Sequence, residues 1–473
     1  MCNIMAAFFL FYFVFGLGLS NAATYYASTT GSGTTCSSGL PCTLSGGIGK
    51  MASGDTLILK DGSYNVVISG EPNGSSGGYT VIKAENDGGV VITQPFTLTH
   101  TNSYIQFEGL KFDHASGKSI VGNHLKFLRC AFVGGMATNN EVNVGIGTNN
   151  FADTQYILLE DCWAYGSGGR YKIMVYNSDK VVLRRVVVRD DGGWTSGNGD
   201  PEAGIVIYQS SNVSVQNAIV IDSDLSTYDN DNVGAFYLTG HAGNRPSSNA
   251  EYLGCMAINN KKWGWNVDTD DLAVGLTMRD IVIYGQEIGG IAQSNTSVAI
   301  DLQRMILGNT GYGIGNWNTS GKVSTLSNFL FLALTGTAST GTNTLTNYST
   351  FATNATAKSA GLSYLTRIES PSTLATSGQG PSILYQIGIS GTQWGDTGYN
   401  TTTGTALWPW QNEARIKLDM AAVSARGFAT GTSRNGTPQT LTKYIWEYLG
   451  NTIPAGIYPT TPPPAAPKNF RIM

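Results

Sequence analysis

A short β-rich pattern repeats along the middle of the chain, and this repeat limits the possible folds more than any other feature. Each copy has one apolar residue, two polar or small residues and then three mostly apolar residues. The copies are Tyr104–Phe112, His124–Phe132, Tyr156–Ala164, Lys180–Arg189, Asn212–Ile221, Asn249–Ile258, Gly275–Ile283, Ala299–Leu307 and Val323–Phe331. With the first residue of the closing triplet as an anchor, Leu110 and Cys130 lie 20 residues apart. Spacings of this size indicate one coil of a solenoid per copy.

A second apolar run lies between successive copies, at Ala203–Tyr208, Val233–Leu238, Trp263–Val267 and Gly289–Ala292. Two or three short strands per coil, separated by turn residues and without a helical stretch, predict a parallel β-helix. A leucine-rich repeat would show a regular leucine pattern with Asn at a fixed place, which this chain lacks. The expected fold class is therefore all-β, a parallel β-helix with a short helical segment near the C-terminus.

Charge and composition narrow the possible partners. Charged residues make up 13% of the 473 residues, and the formal net charge is −4. Typical globular chains contain roughly 25% charged residues. A weakly acidic chain of this kind disfavours nucleic acid and anionic membranes as partners. A solenoid grows coil by coil, so one domain can include several hundred residues, and we expect a monomer.

The N-terminus has the pattern of an export signal. Ala6–Leu19 is an apolar run of 14 residues, and the small residues Ser20 and Ala22 follow it. Such a run is shorter than the roughly 20 residues that cross a bilayer. We predict a signal peptide at residues 1–22 and a secreted, extracellular or cell-surface protein without a membrane span.

The cysteines suggest two different environments. Cys36 and Cys42 lie close together with turn residues between them, and in an exported chain a disulfide between them is expected. Cys130, Cys162 and Cys255 all occupy the anchor position of the repeat. We predict that these three side chains face the core as small apolar groups.

The first coils resemble a known family. Ser53–Asn65 contains Gly-Asp-Thr followed by apolar residues, Gly and Tyr, and Tyr104–Phe112 alternates apolar residues before Gly and Phe. Both stretches resemble the opening of secreted right-handed β-helix proteins of the pectate-lyase superfamily, and the likeness covers residues 23–335. It implies a right-handed helix and a polysaccharide as partner. The family's capping helix would fall at Thr43–Met51, where three glycines disfavour a helix.

We divide the chain accordingly. Residues 23–103 form the N-terminal cap and first coils, 104–335 the core coils, 336–458 the C-terminal coils with a helical cap or brace, and 459–473 a proline-rich tail. Helix-like patterns at Trp408–Met420 and Thr440–Leu449 predict the helices, with Thr440 as an N-cap. These aromatic-rich helices suit a lid on the solenoid or a brace along its side. Carbohydrate stacking by Trp408 and Trp410 is the alternative.

The longest coils carry extra residues, which fall at 189–202, 222–231, 239–249 and 259–268. Insertions in neighbouring coils are expected to stack over the same part of the solenoid and to wall a groove. The loops contain acids, bases and aromatic residues. For any single acid the alternative is a plain structural role at a strand end or in a turn.

A second resemblance concerns the last of these loops. Gly254–Asn266 is similar to a pattern of family 9 polysaccharide lyases, with matches at Gly254, Cys255, Ala257, Asn259, Asn260, Gly264 and Trp265. The resemblance implies β-elimination of a uronate-containing polysaccharide, with Ca²⁺ on the substrate carboxylate and a Lys or Arg as base. The acidic positions of the pattern are Lys262, Trp263 and Asn266 here. Positive charge opposes a divalent cation, so the calcium site of that family is not expected at this place.

Three hypotheses for function follow. The first is a polysaccharide lyase or glycoside hydrolase with a rearranged site. Its candidate catalytic residues are Lys262, Arg245 and His241 as bases and Asp191 and Glu202 as acids, with Asp190 and Asp200 beside them, and its candidate metal ligands, with Ca²⁺ as the expected ion, are Asp222, Asp224, Asp229 and Asp231. The second is a non-catalytic glycan-binding or adhesive protein in which Trp194, Tyr228, Trp263 and Trp265 stack on sugar rings. The third is a structural spacer.

Overall fold

A computed structural model of the chain describes residues 22–135, 142–193, 202–224, 234–240, 245–267, 272–293, 300–316, 325–339 and 344–458. Short parallel strands that stack coil on coil are the dominant secondary structure of these residues. Among the described residues, no helix combines the length and the apolar character needed to cross a bilayer. The predicted signal peptide and proline-rich tail fall almost entirely outside these ranges.

The strands of the first coils, in chain order, are β1 (Thr24–Ala27), β2 (Thr56–Leu59), β3 (Gly62–Tyr64), β4 (Thr80–Ala84), β5 (Val90–Ile92), β6 (Ser103–Glu108), β7 (Leu110–Asp113), β8 (Lys118–Ile120), β9 (Gly122–Leu128), β10 (Ala131–Val133), β11 (Val142–Ile146), β12 (Thr154–Glu160), β13 (Trp163–Gly166), β14 (Tyr171–Tyr176), β15 (Asp179–Arg184) and β16 (Val187–Asp190). The later strands are β17 (Ala203–Tyr208), β18 (Ser211–Gln216), β19 (Ile219–Ile221), β20 (Gly234–Thr239), β21 (Ser247–Leu253), β22 (Met256–Ile258), β23 (Trp263–Val267), β24 (Leu272–Tyr284), β25 (Gly289–Gln293), β26 (Asp301–Gly308), β27 (Tyr312–Asn316), β28 (Thr325–Leu332), β29 (Thr344–Phe351), β30 (Tyr385–Ile387) and β31 (Thr402–Ala406).

The stacked strands form three parallel sheets. Sheet one contains β1, β2, β4, β6, β9, β12, β15, β18 and β21. Sheet two contains β3, β5, β7, β10, β13, β16, β19 and β22, and the long strands β24, β26, β28 and β29 run through both. Sheet three contains β8, β11, β14, β17, β20, β23, β25 and β27. The outcome is the parallel β-helix that the sequence repeat predicts.

The interior is apolar because the strands turn one row of branched and aromatic residues per sheet inward. The rings of Phe107 and Phe127 in neighbouring coils stack with centroids 5.0 Å apart, and those of Phe112 and Phe132 lie 5.4 Å apart. Such offset aromatic contacts add to the stabilisation from burial. Cys130, Cys162 and Cys255 are buried in this core, so the prediction that the anchor cysteines face inward is confirmed.

One corner residue with positive φ joins sheet one to sheet two in successive coils, namely Arg129, Asp161, Arg185, Asn217, Gly254, Asp280, Arg304 and Asn328. Left-handed backbone favours Gly, Asn and Asp, so an arginine there needs another stabilising contact. Arg185 Nε lies 2.6 Å from Asp161 Oδ1, and Arg304 pairs with Asp280 at 2.6 Å. The corners are therefore held by ion pairs between adjacent coils.

A short helix, α1 (Leu44–Ile48), covers the N-terminal end of the solenoid. The Thr43 side chain accepts a hydrogen bond from the Gly46 N–H, and Leu44 and Ile48 are buried. A Cβ added at Gly47 would come within 2.7 Å of the Leu57 side chain. The expectation that glycines prevent this helix was therefore wrong, because one of them is what lets the helix approach strand β2. The predicted disulfide between Cys36 and Cys42 is present in the same region.

The C-terminal segment, residues 354–458, packs along the outer face of sheet two. It contains β30, β31 and the helices α2 (Asn354–Ala360), α3 (Thr373–Ser377), α4 (Glu413–Val423) and α5 (Leu441–Trp446). A second apolar cluster joins it to outward side chains such as Trp163 and Ile219. The segment is therefore a brace along the side of the solenoid. Trp408 and Trp410 are buried in this cluster, so they offer no ring face to a sugar, and that alternative was wrong.

Candidate active site

Two turns, after β16 and β19, join sheet two to sheet three and place several carboxyl groups together. We call these two turns the acidic corner. Strand β16 ends at Asp190, and β17 begins directly after Glu202. Val188 pairs with Val220, so the two turns lie in adjacent coils, which are about 4.8 Å apart. Residues 194–201 and 225–233, which belong to the insertions of these two coils, lie outside the described residues.

Lys172 is the cation of the acidic corner. Its side chain is fully buried, and Nζ lies 3.2 Å from Asp190 Oδ1. Nζ also donates hydrogen bonds to the carbonyl oxygens of Gly168 and Gly169. Lys118, in an earlier coil, likewise donates to turn carbonyls, so a buried lysine at such a turn has a structural precedent in this fold. The coil of Lys172 differs from that of Lys118 in having carboxylates beside the buried lysine.

Asp190 and Glu202 are both 2% exposed. Asp190 Oδ1 accepts a hydrogen bond from the Gly192 N–H at 2.8 Å. Asp190 Oδ2 and Glu202 Oε2 are buried and accept no hydrogen bond from the residues that the structure describes. Buried carboxyl oxygens are normally hydrogen-bonded, so two orphaned ones in the same turn are unusual and suggest a functional role.

The environment separates the pKa values of the two carboxyl groups. Burial raises the pKa of Glu202 to about 8, with the charge of Asp190 adding to the rise and that of Lys172 opposing it. Burial raises the pKa of Asp190 to about 6, against the lowering effect of Lys172. At neutral pH, Glu202 is mostly protonated and Asp190 is mostly ionised. A pair divided in this way can supply one acid and one base to the same reaction.

Asp191 does not share this situation, although the sequence suggested it as a catalytic acid. Its Oδ1 lies 2.9 Å from Arg189 Nε and 3.0 Å from an Arg426 guanidinium nitrogen. Its Oδ2 accepts a hydrogen bond from the Gly166 N–H at 3.0 Å. Both oxygens are therefore occupied in fixing the brace to the corner, and a catalytic role of Asp191 stays a prediction.

The candidate metal ligands do not form a calcium site among the described residues. Asp222 Oδ1 accepts hydrogen bonds from Asn259 and the Tyr444 hydroxyl, and its Oδ2 accepts one from the Phe428 N–H. Asp224 pairs with Lys261 at 2.8 Å. Three potential metal-binding side chains do not converge anywhere in the described ranges. Asp229 and Asp231 lie outside those ranges, so Ca²⁺ binding stays a prediction, and we derive no step through it.

The candidate bases lie at two different corners. Lys262 directly precedes β23, on the side of the acidic corner. Arg245 lies between β20 and β21, at the other end of the sheet-three strands, where its guanidinium covers the Phe151 ring at 3.1 Å from the centroid. A six-residue strand such as β20 spans about 20 Å. The 239–249 loop therefore does not wall the same groove as the 189–202 and 222–231 loops, and Arg245 cannot act with Glu202. His241 lies outside the described residues.

The described aromatic candidates are not free to stack on sugars. Trp265 is fully buried and stacks on Phe236 with centroids 3.9 Å apart inside the core. Trp263 is 3% exposed, and a Cβ added at Gly289 or Gly315 would come within 2.2 or 2.9 Å of its ring. The stacking role predicted for these two tryptophans was therefore wrong. Trp194 and Tyr228 lie outside the described residues.

A cavity of about 450 Å³ adjoins the acidic corner and continues along the next coils. Its lining includes Asp222, Ser223, Asn259, Asn260, Lys261, Gln286, Glu287, Asn309 and Arg426. Ser223 Oγ accepts a hydrogen bond from the Asp190 N–H at 3.0 Å, and Arg426 donates to the Asp190 carbonyl oxygen. The cavity wall is thus in direct contact with the backbone of Asp190. A volume of this size is within the range of small-ligand sites, about 300–1,000 Å³.

Sequence reasoning missed two residues of the site. Lys172 lies in a strand run with no unusual composition, and only coil stacking brings it to Asp190. Arg426 comes from the brace, more than two hundred residues further along the chain. A weak signal for Lys172 existed, because a lysine between apolar neighbours in a buried strand needs a partner.

Comparisons with known proteins find distant structural likenesses. No protein-family model matches the chain, and no curated protein is similar to it in sequence. Among solved structures, pectate lyase Pel9A is 15% identical with a TM-score of 0.44, covering 79% of this chain and 94% of that one. The family 6 polysaccharide lyase Pedsa3628 from Pseudopedobacter saltans is 12% identical with a TM-score of 0.39, covering 69% and 84%. The polygalacturonase from Erwinia carotovora ssp. carotovora is 9% identical with a TM-score of 0.33, covering 70% and 96%. These likenesses concern the fold alone. The parallel β-helix expected from the sequence is confirmed by the strand pairing of the structure itself.

Proposed function

We propose that the protein cleaves a polysaccharide by hydrolysis at the acidic corner, with Glu202 as general acid and Asp190 as its partner carboxylate. The observation that supports this most is the pair of orphaned carboxyl oxygens, Glu202 Oε2 and Asp190 Oδ2, beside one buried lysine. Glycoside hydrolysis needs two such carboxyl groups, one protonated and one ionised.

The chemistry assigned to each group follows from its protonation. Glu202 donates its proton to the glycosidic oxygen as the bond from that oxygen to the anomeric carbon breaks. Asp190 either removes a proton from the attacking water or attacks the anomeric carbon itself, and the separation of the two carboxyl groups in the substrate complex selects between these outcomes. Lys172 stabilises Asp190 as the ionised form. We expect a bell-shaped pH profile with limbs near pH 6 and pH 8.

The fold alone does not determine whether a protein catalyses hydrolysis or β-elimination. Solved proteins with similar folds are named as lyases, as a polygalacturonase and as an α-1,3-glucanase. One fold commonly hosts several chemistries, so function must be argued from the site. The split carboxyl pair favours hydrolysis over the β-elimination that the family 9 resemblance implies.

We further propose that the protein acts outside the cell. The disulfide between Cys36 and Cys42 supports this, because disulfides persist mainly in oxidising compartments. The apolar run Ala6–Leu19 is consistent with export. Mass spectrometry of protein recovered from the medium would test it, since cleavage after Ala22 gives a mature chain that starts at Ala23.

The test of activity uses a panel of neutral and acidic polysaccharides and two readouts, new reducing ends for hydrolysis and ultraviolet absorbance of unsaturated uronates for β-elimination. We expect reducing ends without the absorbance. Glu202→Gln and Asp190→Asn should each lower the rate by about 10²- to 10⁴-fold. Glu85→Gln is the matched control, because Glu85 is partly exposed and pairs with Lys60 in the first coils. Full activity of Glu202→Gln, or an unsaturated product, would contradict the proposal.

A further inference from the structure

We infer that the cavity beside the acidic corner is a subsite for an uncharged sugar unit, and therefore that the substrate is a neutral polysaccharide. This inference rests on the proposed function, which it makes more specific. It differs from the uronate substrate that the sequence resemblance implies. The cavity, its amide groups and its charge balance support it independently of the carboxyl pair.

A buried amide oxygen beside the cavity has no hydrogen-bond partner among the described residues. Gln286 lines the cavity and is 2% exposed. Its Nε2 donates hydrogen bonds to the carbonyl oxygens of Ala257 and Tyr284, both at 3.0 Å. Its Oε1 is buried and accepts no hydrogen bond. The amide is fixed by its nitrogen, and the unpaired Oε1 lies within the wall beside the cavity, so a sugar hydroxyl would reach this acceptor only where the wall opens towards the ligand.

Other amides surround this acceptor. Asn260 is held by hydrogen bonds from its Nδ2 to the Val220 carbonyl oxygen and from the Ser223 N–H to its Oδ1, both at 2.9 Å. Asn309, in a later coil, is exposed and contributes its side chain to the lining. Amide side chains can donate and accept at once, which suits the vicinal hydroxyl groups of a pyranose. Rigid amides at successive coils would give such a ring a defined orientation.

The charges of the cavity disfavour an anionic sugar. The charged residues of the lining are two acids, Asp222 and Glu287, and two bases, Lys261 and Arg426. Each base already pairs with a carboxylate, Lys261 with Asp224 at 2.8 Å and Arg426 with Asp191 at 3.0 Å. A uronate carboxylate would have to displace one of these pairs while lying near the two acids, and both effects oppose binding. A neutral sugar ring displaces no ion pair and is not repelled by the two acids.

The position of the cavity fits a sugar unit next to the cleaved bond. Ser223 and Arg426 belong to the lining and also contact the backbone of Asp190. A ring held in the cavity would therefore place one of its glycosidic oxygens towards the carboxyl pair. Binding and cleavage would share the same corner of the solenoid.

The test measures binding to the full chain by titration calorimetry, with Glu202→Gln as background so that substrates stay intact. The probes are neutral oligosaccharides of glucose, xylose, mannose and galactose, and oligogalacturonates and oligomannuronates as the acidic set. We expect at least one neutral series to bind and both acidic series to bind at least tenfold more weakly. Asn309→Gly should weaken the neutral affinity about threefold to tenfold, the equivalent of one lost hydrogen bond.

Asn347→Gly is the matched control. Asn309 and Asn347 are both exposed and share a φ of 48°, so glycine introduces no backbone strain at either position. Asn347 lies away from the cavity, and its replacement should leave the affinity unchanged. Gln286→Met then tests the orphaned acceptor, with thermal unfolding as a check on folding.

The outcomes separate this inference from the proposed function. Cleavage of a polyuronate by the wild-type protein would overturn the neutral subsite while leaving hydrolysis at the acidic corner in place. Binding of neutral sugars without cleavage of any polysaccharide would overturn hydrolysis at the acidic corner while leaving the neutral subsite in place. Equal affinities of Asn309→Gly and the control, or binding of no neutral sugar, would overturn the subsite.

Discussion

The protonation of Glu202 has a consequence for stability that can be measured without a substrate. Glu202 is buried and titrates near pH 8 in the folded protein, against an ordinary value of 4.5. Between these pH values the folded chain holds a proton that the unfolded chain has released. Unfolding therefore releases a proton, and the free energy of unfolding must fall as the pH rises through this window. Glu202→Gln removes the titrating group, so the free energy of unfolding of this variant should not show this decrease with pH.

The size of the effect follows from the two pKa values. One pKa unit corresponds to about 1.4 kcal/mol, so moving from pH 4.5 to pH 8 costs the wild-type protein on the order of 5 kcal/mol. Glu202→Gln should behave like the wild-type protein near pH 4.5. At pH 8.5 it should be more stable by several kcal/mol. The gain develops between these two pH values and stays constant above pH 8, because Glu202 is ionised in both the folded and the unfolded chain there.

The assay is urea unfolding followed by tryptophan fluorescence at intervals from pH 4.5 to pH 8.5. Asp190→Asn should remove a smaller pH-dependent change, on the order of 3 kcal/mol, at lower pH, because Asp190 titrates near 6 rather than 3.8. This variant should also be destabilised at every pH, because the buried Lys172 loses its counter-charge. Glu85→Gln, with a partly exposed carboxylate, should follow the wild-type curve. Parallel stability curves for Glu202→Gln and the wild-type protein would refute the burial argument and weaken the assignment of Glu202 as an acid.

Three further predictions concern how the solenoid is held together. Asp222→Ala should destabilise the protein by about 2 to 3 kcal/mol, because it leaves the Tyr444 hydroxyl and a brace N–H without their acceptor, and limited proteolysis should then cut the C-terminal segment first. Arg184→Ala should lower the free energy of unfolding, measured by thermal unfolding, by about 3 kcal/mol, because Glu160, 2.6 Å away, would lose a buried counter-charge. Arg184→Lys should not restore this stability, because lysine lacks the planar guanidinium group. Trp265→Ala should cost about 3 to 5 kcal/mol as a core cavity, while sugar affinity of the folded variant, measured by calorimetry, should stay unchanged.

The sequence by itself determined the solenoid, because coil length and strand pattern are local properties. The same apolar strand pattern recurs once per coil, and polar residues or glycine separate its copies. The inward position of Cys130, Cys162 and Cys255 could therefore be predicted from spacing alone. The same reasoning placed Glu202 among the candidate acids, since an insertion next to a strand end is visible in the sequence. The C-terminal helices were also predictable, and Thr440 caps α5 as expected.

Only the tertiary structure decided which of these residues meet. Strand alternation would put Trp263 and Trp265 on one face, but a Cβ at Gly264 would meet the core residue Ile283 at 2.3 Å, so regular alternation is broken and Trp265 turns inward. The contact of Lys172 with Asp190, and that of the brace with Asp222, join residues far apart in the chain. Such contacts depend on how the coils stack and where the brace docks, and those are set by packing across the whole molecule rather than by any local pattern.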